Sequence, residues 1–149
     1  MKASLFTTIL SALVLTSLSV PNIAQAKKTD GKFTVTAKLV KIGGKFPPND
    51  LYDYAFVMKY VVVGGKLDKK EIYVAHYKPR LRRHKISGKM KKFVHGSLHR
   101  FKEGALHRLI LAPKLKKIWK GAIVDEFFAK DRKSKRYWCL QVDMAKTSK

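Results

Sequence analysis

The chain has 149 residues, with 33 lysines and arginines against 10 carboxylates and a formal net charge of +23. A hydrophobic share of 46% is too high for a disordered polycation. One cysteine, Cys139, excludes an intramolecular disulfide framework, so stability has to come from packing.

The first segment reads as an address. Lys2 precedes an apolar run from Leu5 to Val20, Pro21 breaks that run, and Ala24-Gln25-Ala26 is an A-x-A cleavage site. That is the layout of a secretory signal peptide. Residues 1–26 are expected to be removed on export and 27–149 to form a single β-rich binding domain. An uncleaved anchor is disfavoured because the run is short and diluted by Ser and Thr. No later apolar run is long enough to span a bilayer, so the expected location is periplasmic or extracellular.

Period-2 patterning dominates the remainder. In "KFTVTAKLVKI", Phe33, Val35, Ala37 and Leu39 alternate with Thr34, Thr36 and Lys38, which predicts a half-buried strand. The phase shifts at Val40-Lys41-Ile42, which predicts a bulge or bend. "KFPPNDLYDYAFVMKYVVV" follows. Pro47-Pro48 and Asn49-Asp50 make a stiff turn. Tyr54 to Val63 is apolar on both parities except at Lys59, which predicts a strand covered on both faces.

"EIYVAHY", ended by Pro79, is a third strand and "HRLILAP" a fourth. "GAIVDEFF" is an added strand or a continuation, and "RYWCLQVDM" is the last. Between the third and fourth strands, Met90, Phe93, Val94, Leu98 and Phe101 keep approximate helical spacing. They predict a short helix, weakened by Gly96. This order suits a mainly β fold: a small five- to six-stranded OB-like barrel with one short helix between strands 3 and 4. A small β-sandwich is the alternative.

Charge is the strongest functional signal. Lys78 to Lys102 carries ten Lys and Arg and no carboxylate. A second cluster holds Lys114, Lys116, Lys117 and Lys120, and a third runs from Lys130 to Arg136. So one-sided a field costs self-repulsion in the compact state, which a negative partner offsets. The candidate ligand-binding residues are Arg80, Arg82, Arg83, Lys85, Lys89, Lys91, Lys92 and Tyr77, with Tyr52 and Asp53 as a possible rim. For Asp50 and Asp53 the alternative is structural, and the surrounding cations favour it: they anchor the first loop by turn capping and ion pairing.

Catalytic signals are weak. Asp50 and Asp53 are close in sequence, but proximity in a turn does not set the separation a glycosidase pair needs. His95 and His99, four apart, lack an accompanying Glu motif or Cys ligand, so no metal is assigned. Nucleophile-elbow, phosphate-loop and dinucleotide patterns are absent. Cys139 reads as a buried small hydrophobe.

The expectation is therefore a non-enzymatic exported module without a cofactor. It recognises an anionic polysaccharide, a lipid head group or an acidic protein surface, and export disfavours nucleic acid. An accessory subunit of an envelope enzyme or secretion complex is the alternative. A hydrolase using the aspartates or histidines is the third reading.

Overall fold

The structure is a computed structural model and describes residues 31–48 and 51–147. The expected signal peptide and Asp50 lie outside the described residues. The strands are β1 (Phe33–Lys41), β2 (Tyr54–Val62), β3 (Glu71–Tyr77), β4 (Leu106–Ala112), β5 (Ala122–Val124) and β6 (Arg136–Met144). One helical turn, α1 (Leu115–Ile118), lies between β4 and β5.

β1 pairs antiparallel with both β2 and β4, β4 with β6, and β2 with β3, while β3 and β6 run parallel. Five strands thus close on themselves in the order β1-β4-β6-β3-β2, a Greek-key barrel of OB-like form. β5 adds in parallel to the start of β2, at Tyr54–Phe56. The expected irregularity in β1 is present. Leu39 faces Tyr60 and Lys41 faces Lys59, so Val40 is left over as the extra residue.

Alternation along the strands builds two apolar layers. Leu39, Phe56, Met58, Tyr60, Val74, Leu109, Leu111 and Val142 fill the barrel. Ala55, Val57, Tyr73, Ala75, Tyr77, Trp138 and Leu140 face outward, yet they are buried under Ile86, Val94, Leu115 and Trp119. β2 is therefore covered on both sides, which its doubled apolar pattern requires. Each large side chain so buried contributes roughly 1.5–3 kcal/mol.

The link between β3 and β4 differs in detail from the expected helix. It forms two 3₁₀ turns, Arg83–Lys85 and Gly88–Lys92, and is extended beyond Phe93. His95 N–H donates to Leu140 O at 2.8 Å, and Val142 N–H donates to His95 O at 3.1 Å. The segment thus continues along the β6 edge that β3 leaves. Gly96 makes this approach workable: its φ is +118°, and a Cβ there would lie 2.0 Å from Val142 O. Backbone contact with β6 outcompetes the helical spacing of the side chains.

Candidate polyanion-binding groove

Pro113 stops β4, and the chain turns once through α1. Leu115 is buried, while Lys116 and Lys117 point to solvent. Trp119 follows and locks the turn to the barrel. Its ring stacks on Trp138 at 6.1 Å between centroids and meets Tyr77 edge-on at 5.4 Å. Its Nε1 donates to Ala122 O at 2.9 Å. Gly121 is needed beside it, because a Cβ there would lie 2.5 Å from the indole.

Three hollows run round α1 and share lining residues. The first, about 900 Å³, lies between the Gly88–Phe93 stretch and Ile118–Gly121. Lys89, Lys91, Lys92 and Lys120 line it together with Met90, Phe93, Ile118 and Trp119. The second, about 530 Å³, adds Lys32, Lys114 and Lys117. The third, about 1140 Å³, is lined by Lys114, Lys116, Lys117, Lys120 and Arg136, with Leu115, Ile123 and Phe128. Among the described residues, Asp125 is the one carboxylate residue lining them, and Arg136 holds it through Nε–H to Oδ2 at 2.8 Å. Cations from the first two sequence clusters therefore meet at one surface, beside partly exposed apolar side chains, and the third cluster reaches it only through the ion-paired Arg136.

The individually expected residues are placed unevenly. Lys89, Lys91 and Lys92 line the first hollow. Lys85, Asp53 and Tyr77 line an adjoining one of about 320 Å³ that shares Gly88, Lys89 and Met90 with it. Arg80 is exposed and donates from Nη1 to Pro47 O at 2.8 Å, tying the β3–β4 link to the β1–β2 loop. Arg82 is exposed, and Tyr52 is 73% exposed on the β1–β2 loop.

Arg83 departs from the expected surface role. It is buried, and its guanidinium donates to the carbonyls of Tyr77, Lys78 and Leu81 at 2.7, 2.6 and 2.7 Å. It is a backbone clamp and not part of the basic face. Burial lowers its pKa to about 10, which leaves it charged at neutral pH.

Asp53 acts as the anchor that the loop chemistry predicts. Its Oδ1 lies 2.8 Å from Lys78 Nζ and accepts the Tyr77 hydroxyl at 2.8 Å. The hydrogen bond from Lys78, then that from Tyr77, holds its carboxyl below the usual range. Asp53, in the approach to β2, thus fastens the first loop to the end of β3.

Sequence reasoning missed a polar cluster inside the barrel. The Tyr60 hydroxyl lies 3.1 Å from His76 Nε2 and 3.2 Å from His107 Nδ1. All three side chains are fully buried, and desolvation pushes both imidazoles toward the neutral form, His107 to about 4. His76 Nδ1 and His107 Nε2 have no hydrogen-bond partner among the described residues. The available signal was parity: Tyr60 and His76 keep step with the inward Phe56, Met58 and Val74, and His107 with the inward Leu109 and Leu111. The pair 95 and 99 does not share a helix face: His95 bonds Lys92 O, and His99 packs edge-on to His84. Among the described residues, no group of three His, Cys, Asp or Glu is placed to hold a metal ion, and no helix is long and apolar enough to cross a membrane.

The chain matches no protein-family model, no curated protein and no solved structure. The site is therefore read from its own chemistry.

Proposed function

We propose that the protein is an exported, non-enzymatic module that binds an anionic polymer or surface along the groove round α1. One observation carries this reading: Lys89, Lys91 and Lys92 converge on Lys114, Lys117 and Lys120 over a floor of Met90, Phe93, Ile118 and Trp119, with Asp125 already neutralised. Clustered ammonium groups attract phosphate, sulfate or carboxylate along a chain, and partly exposed rings add contact with sugar faces. The outer face of β2 and β3, a usual ligand surface of OB barrels, is covered here by Trp119 and Ile86. Binding is thereby moved to the links between strands.

Retention on heparin resin tests this. The protein lacking residues 1–26 should bind at low salt and elute as salt rises, because screening and counterion release weaken the contact. Replacing Lys116, Lys117 and Lys120 with Glu should lower the eluting salt concentration while the fold persists. Passage through the resin at low salt would reject the proposal.

A protein partner is the second reading. Leu51 and Tyr52, 79% and 73% exposed side by side, favour it. A pull-down partner resistant to high salt and lost on Leu51→Ser would support that reading.

A further inference from the structure

The largest of the three hollows differs from the others in its lining. Ile123 and Phe128 are 42% and 52% exposed, and both face this hollow, beside Pro113 and Leu115. Large apolar side chains left open in so cationic a region are a feature to explain, since exposed apolar patches mark binding surfaces. The guanidinium carbons of Arg132 and Arg136 lie over the Phe128 ring at 5.8 and 5.7 Å from the centroid and set the ring beside the hollow, while it stays half exposed. A polysaccharide has nothing apolar enough to fill such a floor.

An anionic lipid does. Its two halves match the two halves of the hollow, apolar floor and cationic rim. The volume, about 1140 Å³, is slightly larger than the usual small-molecule site of about 300–1,000 Å³. We infer that this hollow takes the acyl chain of a phosphate-headed lipid, with Ile123, Phe128 and Leu115 against the chain and Lys114, Lys116, Lys117 and Lys120 round the head group. The inference rests on the proposed anion-binding role of the groove and names its ligand class.

Lysine suits the head group. Its ammonium is a compact charge on a flexible stem, and that stem covers apolar surface while the charge reaches the rim. The chain contributes through burial: each methylene taken out of water strengthens binding by about threefold to fourfold.

Calorimetric titration with dodecyl phosphate, below its micelle-forming concentration, is the test. Saturable binding is expected. It should weaken at least about tenfold with octyl phosphate, through the methylenes lost, and likewise with uncharged dodecyl maltoside. Inorganic phosphate alone should bind weakest. Ile123→Ser and Phe128→Ser, both at exposed positions, should each weaken dodecyl phosphate binding severalfold. Equal affinity for inorganic, octyl and dodecyl phosphate would overturn the inference, as would unchanged dodecyl phosphate binding in both serine variants. Heparin retention of the unmodified protein separates the two levels: its loss defeats the anion-binding role itself, whereas its persistence without chain-length dependence defeats only the lipid.

Discussion

The hydroxyl of Tyr60 sits between two buried imidazoles, 3.1 Å from His76 Nε2 and 3.2 Å from His107 Nδ1. One hydroxyl donates a single proton, so one ring accepts from it and the other donates to it. Tyr60→Phe removes the shared partner and leaves both facing nitrogens bare inside the barrel. The expected cost is about 1–3 kcal/mol, read as a lower urea midpoint at unchanged slope. An unchanged midpoint would show that the hydroxyl is dispensable.

The same cluster gives the fold a pH dependence. His76 and His107 titrate lower in the folded chain than their ordinary value of 6.5, first because burial desolvates them; Arg83 further depresses His76. Below that value the unfolded chain binds more protons than the folded one, so stability is fully present above about pH 6.5 and falls as pH drops toward 4. His107 alone accounts for a loss on the order of 3 kcal/mol across that window. Denaturant titrations across this range should show it, and His107→Gln should flatten the curve. Stability that stays level down to pH 4 would contradict the neutral buried pair.

Arg82 and Arg83 are neighbours with opposite duties. Arg82→Ala should move stability by no more than about 0.5 kcal/mol. Arg83→Ala leaves three carbonyls without their donor and should cost about 3 kcal/mol or more. Thermal melts of the two variants side by side decide this. Equal melting temperatures would remove the clamp from the account.

Gly96→Ala should be among the most damaging small substitutions. The added carbon meets the backbone oxygen of Val142 at 2.0 Å, at a φ of +118° that L-residues rarely adopt. The atoms it meets are all backbone of Val142 and no flexible side chain, so strand and link have to separate. A loss of about 3 kcal/mol or more is expected, with faster amide exchange along Leu140 to Val142.

Cys139 is enclosed, and burial pushes its thiol up to about 12. Iodoacetamide at about pH 8 should leave the native protein unmodified and label it fully in denaturant. Rapid labelling of the native chain would contradict that enclosure.

Much of the fold was legible. The runs Glu71–Tyr77 and Arg136–Met144 are strands from end to end, and the phase slip at Val40 is the bulge. These signals are local, because alternation records which face of a strand is buried. The Val94–Leu98 segment was misleading for the opposite reason. Its apolar spacing imitates a helix, whereas its conformation depends on β6, distant in sequence. The site was half legible. Each lysine cluster is plain in the sequence, but the meeting of Lys92 with Lys114 and Lys117 depends on how two links fold over the same barrel face. Nothing local separates Arg83 from Arg82; only the carbonyls gathered by the turn after β3 draw one inward.

β6 lies between β3 and β4 in the ring, although it leaves the ribosome after both of them. Until it arrives, β3 and β4 each lack a neighbour and the barrel wall stands open. Closure of the barrel therefore waits for β6, and so non-local a set of pairings places it on the millisecond-to-second scale. A nascent or truncated chain ending before Arg136 would display two raw strand rims to its fellows, an invitation to aggregate that chaperones would need to shield.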